Sequence, residues 1–211
     1  MNKGNMNIYY EEFDKHLMND IKPSEYFNKM KNKELLNQEY PFTLLWNLSS
    51  VEQSPVHHSE GNVWIHTMLV LDNAADHRNL SKDPRVFMWS ALLHDLGKAA
   101  TTKIRHGRIT SYDHDIEGEK LALDFLGSFQ IDSTFIDKVC KMVRWHMQTL
   151  FVVKELPFAN VKLMLSEVPL EEIALLSLCD RLGRGDMTEK KVQEEKENIR
   201  VFIEKCSEFQ K

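Results

Sequence analysis

Residues 89–102, WSALLHDLGKAATT, set His94 and Asp95 side by side at the end of an apolar helical run. Phe87, Ala91 and His94 fall on one stripe at helical spacing, and Met88, Ala91 and Leu92 put Asp95 on an equally apolar side. An unpaired buried carboxylate is expensive, so something must neutralise Asp95. The same test, an ionisable side chain on the apolar stripe of its own helix, singles out four more residues. His66 shares a stripe with Val63 and Val70, and His114 aligns with Gly118, Leu121 and Phe125. His146 lies in register with Val139, Met142 and Val143, and Asp180 with Ile173, Leu176 and Ser177.

Each of these taken alone reads as a satisfied core group, and Asp180 before Arg181 reads as a helix-terminal ion pair. Taken together they ask for a shared cause. A divalent cation supplies one, because it accepts neutral imidazoles and ionised carboxylates and offsets the cost of burying them. Imidazole with carboxylate and no thiolate suits manganese, iron, cobalt, nickel or zinc. Six donors exceed what one ion with an open water position needs. Either two ions are bound, or His114 and His146 act behind the first ligands or on the substrate. His57 and His58, in the proline- and glycine-bounded loop SPVHHSEGN, face either the mouth of the site or the solvent. His16, His77 and His106 have polar neighbours and read as surface residues.

Positioning such donors falls to helices. Periodicity and proline or glycine punctuation predict helices near 23–37, 41–50, 62–78, 84–96, 114–127, 132–148, 157–167, 169–182 and 187–209. Asp83-Pro84 gives an N-cap and an N1 proline, and Gly97 reads as the helix stop. The exception is 99–112, where His106-Gly107 between short β-branched pieces predicts a small hairpin or an irregular loop. The expected fold class is all-α. Residues 1–20 read as a polar, partly mobile segment that Ile8, Tyr9, Tyr10 and Phe13 could dock. The expected organisation is an N-terminal helical extension over 1–50, a site-bearing domain over 51–186 and a C-terminal helix over 187–211.

The chain has 211 residues, 27 of them basic and 32 acidic, for a formal charge of −5. That balance argues against a broad nucleic-acid-binding face. Cys140, Cys179 and Cys206 lack paired spacing and read as reduced thiols. The N-terminus lacks the apolar core of a signal peptide, and no stretch approaches the roughly 18 apolar residues of a membrane span. A cytoplasmic protein without membrane contact is expected.

The order His66, His94-Asp95, Asp180 resembles the H…HD…D signature of the HD-domain superfamily of metal-dependent phosphohydrolases, which are all-helical bundles. HSEGNVWIHTMLVLD, ALLHDLGKAATT, GRITSYDHDIEGEKLA, VRWHM and LLSLCDRLGR together resemble the HD domain associated with bacterial CCA-adding tRNA nucleotidyltransferases and poly(A)-polymerase-like proteins. The likeness runs from about Gln53 to Asp186. No Gly-Ser motif with paired carboxylates precedes Gln53, so the resemblance is to an HD protein without the nucleotidyltransferase head, and CCA addition does not follow from it.

The resemblance implies that His66, His94, Asp95 and Asp180 ligate a first ion. His114 and His146 resemble the added ligands of subgroups in which the aspartate of the HD pair bridges two ions. The implied chemistry is phosphoester hydrolysis, since a metal lowers the pKa of bound water from about 15.7 to about 7. Asp95 and Lys98 are then the catalytic candidates. Lys98 would neutralise charge on phosphate or serve as a helix-terminal cation, and Arg144 and Arg184 would anchor phosphate or form surface ion pairs. Three readings follow: a phosphatase or phosphodiesterase for a nucleotide or 2′,3′-cyclic phosphate, a di-iron oxygenase, or a non-catalytic module holding a nucleotide or RNA end.

Overall fold

The computed structural model describes residues 3–32 and 38–210. Its elements in chain order are α1 (Lys3–Asn19), α2 (Pro23–Lys31), α3 (Phe42–Asn47), α4 (Val63–His77), α5 (Pro84–Leu93), α6 (Lys98–Thr101), β1 (Lys103–Arg105), β2 (Arg108–Thr110), α7 (His114–Gly127), α8 (Ser133–Trp145), α9 (Gln148–Val153), α10 (Val161–Glu167), α11 (Leu170–Leu182) and α12 (Glu189–Ser207), with short 3-10 turns between or after some of them. Among the described residues the fold is all-α apart from one two-stranded hairpin. The last part of the helix expected over 23–37 lies outside the described residues.

Helix α5 is the axis of the bundle. Every residue from Val86 to Leu93 is buried, which is why its sequence is apolar on all sides rather than on one stripe. Helices α4, α8 and α11 pack against it, α7 lies along α8, and α12 covers α11. The starts are set by local chemistry. The Asn62 side chain caps α4 by accepting from the Ile65 amide at 3.0 Å, and Asp132 caps α8 by accepting from Phe135 at 2.8 Å. Asp83 does the same for α5, with Pro84 at its first position.

Helix α1 is docked, through three of the four side chains that could hold it. Tyr10 stacks on Trp89 with ring centroids 5.0 Å apart, Phe13 packs edge-on to Phe27 and Phe42, and Tyr9 meets Phe42. Ile8 remains exposed. Asp14 ties the helix to α5 by accepting from the Trp89 indole at 2.8 Å and from Arg85 at 2.7 Å.

The hairpin is real, with Ile104 opposite Ile109. His106 and Gly107 both have positive φ, 49° and 73°, the backbone of a type I′ turn. Other boundaries differ from expectation. Helix α5 stops at Leu93 and α8 at Trp145, each leaving a histidine, His94 or His146, at the C-cap. Residues 148–153 form a further helix that the sequence pattern did not suggest. Gly97 is not a left-handed helix stop: its φ is −63°. A Cβ there would lie 2.0 Å from the His114 carbonyl oxygen and 2.6 Å from the Gly118 amide, so glycine is required for the close approach of α7.

The three cysteines are free and buried. Burial pushes the Cys140 thiol up to about 12, which keeps it protonated and inert. Among the described residues no helix is long and apolar enough to cross a membrane.

Candidate metal centre

The six stripe residues come together. His66 projects from the first turn of α4, His94 and Asp95 from the end of α5, His114 from the start of α7, His146 from the end of α8, and Asp180 from α11. His66, His94, Asp95 and His146 are at most 2% exposed and His114 is 7% exposed, while the Asp180 side chain reaches the edge of the cluster.

Asp95 sits in the middle with its two oxygens turned to different partners. Oδ2 lies 3.3 Å from His94 Nε2 and 3.7 Å from His66 Nε2. Oδ1 lies 3.5 Å from His114 Nε2 and 3.8 Å from His146 Nε2. Asp180 Oδ1 completes the first group, 3.0 Å from His66 Nε2 and 4.0 Å from His94 Nε2. Donor atoms of His66, His94 and Asp95, and those of Asp95, His114 and His146, are each close enough together to share one cation.

The chemistry of these donors tests whether a cation fits. His94, His114 and His146 place Nδ1 against the carbonyl oxygens of Ala91, Ser111 and Val143, at 2.9, 2.7 and 2.6 Å. A carbonyl only accepts, so each Nδ1 carries a proton, and Nε2 is the nitrogen of each ring turned inward and available to a cation. His114 and His146 Nε2 then face one another at 3.2 Å. His94 Nε2 is buried without a hydrogen-bond partner, and the neighbour of Asp95 Oδ2 at such a distance is the Lys98 ammonium. Lone pairs converging in a buried space are unfavourable as they stand and become ligands around a cation, so the residues present fit a divalent metal.

The electrostatics agree. Burial raises the Asp95 carboxyl, but the charge of Lys98, with the imidazoles of His94, which is also given a hydrogen bond, and His114 turned toward it, outweighs burial and holds the group well below the usual range. Burial likewise raises Asp180, and hydrogen bonding and charge from His66 pull it well below. Burial lowers His114 to about 3, with the His146 charge adding to it, and burial also lowers His146. Both carboxylates are therefore ionised and both of these imidazoles neutral, the states a metal requires.

Of the candidate cations, Lys98 is at the centre: its Nζ is 2.7 Å from Asp95 Oδ2 and 2.8 Å from Gln53 Oε1. It opens α6 and is not the end of a long helix. Arg184 is half-buried beside the cluster, where its charge helps lower Asp180, and it is 3.9 Å from Glu195. Arg144 is engaged elsewhere, paired with the buried Asp115 and stacked on Trp145.

His58 is turned inward, its ring 4.9 Å from that of His66, whereas His57 is exposed. His16 bonds Asp20 and stacks on Tyr26, His77 bonds its own helix, and His106 is the hairpin tip. The sequence reading missed Glu60. Its side chain is 2% exposed, and Oε1 lies 2.7 Å from His58 Nδ1 and 3.0 Å from His66 Nδ1. A loop residue has no periodic stripe to betray its burial.

An all-helical bundle that converges histidines and aspartates from five helices on a buried, cation-ready centre defines a class, that of helical proteins with a divalent-metal site. The HD domain family model matches residues 63–185, more than half of the chain, and the chain belongs to that family, whose members are usually metal-dependent hydrolases. Its relatives include the Multifunctional CCA protein of Actinobacillus pleuropneumoniae serotype 5b, 28% identical over 127 residues, which are 59% of this chain and 29% of the relative. The protein of the same name from Methylococcus capsulatus is 38% identical over 92 residues, 44% of this chain and 20% of the relative. That of Aromatoleum aromaticum is 46% identical over 54 residues, 26% of this chain and 12% of the relative. The chain thus spans less than a third of the length of these relatives.

Proposed function

We propose that this protein is a metal-dependent phosphoric ester hydrolase that acts on a nucleotide or a 2′,3′-cyclic phosphate. The observation that carries the reading is Asp95, whose two oxygens address two separate groups of imidazoles. That arrangement supports two ions, one held by His66, His94, Asp95 and Asp180 and the other by Asp95, His114 and His146. When bound, divalent ions supply a water nucleophile at neutral pH and polarise the phosphoryl group.

The chain's own residues do the rest. Backbone carbonyls aim the imidazoles of His94, His114 and His146, so that little reorganisation is needed at the moment of reaction. Lys98 places an ammonium at the centre, where it would neutralise charge on the phosphoryl oxygens. Arg184, half-buried and close enough for its charge to lower Asp180, is a further candidate to anchor an arriving phosphate, whereas Arg144 is committed to Asp115. The likeness to Multifunctional CCA proteins supports a nucleotide or an RNA end as the substrate and says nothing of CCA addition here.

Metal analysis of the purified protein, followed by a phosphatase and cyclic-phosphodiesterase panel with added manganese, cobalt or nickel, tests the proposal. Bound metal with metal-dependent release of phosphate or ring opening is expected. Iron with oxygen consumption would replace it by the di-iron oxygenase reading. Metal binding without turnover would leave a nucleotide-binding module.

A further inference from the structure

Three of the four histidines of the centre stand at helix ends, where backbone carbonyls are free to accept. His94 and His146 are C-cap residues that use carbonyls of the last turn, and His114 opens α7 and uses the carbonyl of Ser111 ahead of it. His66 cannot do this. It lies inside the first turn of α4, and the carbonyl three residues back, that of Val63, already accepts from the Thr67 hydroxyl at 2.9 Å. The polar group beside its Nδ1 is Glu60 Oε1, at 3.0 Å and off the axis of a straight ring N–H bond.

Glu60 is itself anchored. Its Oε1 also bonds His58 Nδ1 at 2.7 Å, and its Oε2 accepts from the Gly185 amide at 2.8 Å, in the turn that follows the Asp180 helix. It precedes the stretch matched by the family model. We infer that Glu60 is the positioning residue of His66: it accepts from Nδ1–H, leaves Nε2 as the nitrogen that a cation would take, aimed at the centre, and locks the 183–186 turn to the loop before α4. The inference rests on the metal reading above. His58, Glu60 and His66 could also be taken as a third group of metal donors. That would require the His66 ring to give both nitrogens to cations, as an imidazolate that has lost the one N–H of the neutral ring. A carboxylate accepting from a ligand histidine lets the ring keep that proton.

The test measures cobalt(II) affinity by competition against a chelating indicator in the wild type, Glu60→Gln, Glu60→Ala and His58→Gln proteins. Circular dichroism melts monitor folding, and 15N–1H spectra of the histidine rings in the zinc-loaded proteins report the His66 Nδ1–H and its hydrogen bond. The tighter ion should bind about 100-fold more weakly in Glu60→Ala and about 10-fold more weakly in Glu60→Gln, whose amide oxygen still accepts. His58→Gln, which keeps the Glu60–His66 contact, should stay within about threefold of wild type, and the His66 Nδ1–H should lose its hydrogen-bonded, exchange-protected signal only in Glu60→Ala. Folded Glu60→Gln that binds as tightly as wild type overturns the inference, as does an equal loss in His58→Gln. A wild type that binds no metal overturns the metal reading and this inference with it.

Discussion

Asp95 has no role as a structural group that a neutral isostere would not fill better. It is buried, kept ionised by its neighbours, and faced by four Nε2 atoms. Replacing it by alanine should abolish metal binding in both groups. Hydrolysis should fall by more than about 100-fold, beyond the about 10- to 100-fold loss typical of a supporting residue; elemental analysis and the substrate panel check this. His66→Ala should remove the first ion and leave a weaker second one. His114 predicts a pH dependence. Burial lowers it to about 3 in the folded chain, against 6.5 when unfolded, so between those values the unfolded chain binds a proton that the folded chain refuses. Stability of the metal-free protein should therefore fall as pH drops below about 6.5. His66, raised above its ordinary value by Asp180 and Glu60 against the effect of burial, works in the opposite sense. Urea titrations at several pH values should show a shallower decline for His114→Gln than for wild type.

Elements translate these residues into a site, and what they do was only partly legible in the sequence. Helical periodicity located α4, α7, α8 and α11 with the donors on their apolar faces, because a polar group on a core stripe breaks the pattern in a way that spacing reveals. The same criterion has no purchase on the 51–62 loop, which is why Glu60 went unseen. It also misjudged Gly97, whose value lies in a contact with α7 that is distant in sequence. Gly97→Ala should push α7 away. We expect about 1–3 kcal/mol of destabilisation in a denaturant melt, with weakened binding of the ion that His114 serves. Gly183 plays a similar part at the other side, since a Cβ there would lie 2.8 Å from the Val70 amide and force α11 off α4. The break of α8 at Trp145 was equally hidden, because His146 continues the stripe of a helix that has already ended.

At the scale of the whole molecule, α1 and the site-bearing helices share one aromatic core through Phe13, Phe42, Trp89 and Phe125. Phe13→Ala should cost about 3–5 kcal/mol and lower a single cooperative transition, whereas a separately folding extension would leave the main melt unchanged. Metal should stabilise that same transition. At free metal one hundred times the dissociation constant the gain is about 2.7 kcal/mol, which for a chain of this length raises the melting temperature by about 5–10 °C; chelator should reverse it.

The contact between His66 and Asp180 joins positions 114 residues apart. No fragment holding fewer than both of their helices contains the first ion's full donor set, so the denatured chain offers only scattered imidazoles and carboxylates. The centre is therefore a clock for the last stage of folding. In a refolding experiment the ligand-field spectrum of cobalt would develop only once α11 has docked on α4, later than the helical signal, and its lag would time a long-range closure that backbone spectroscopy does not resolve.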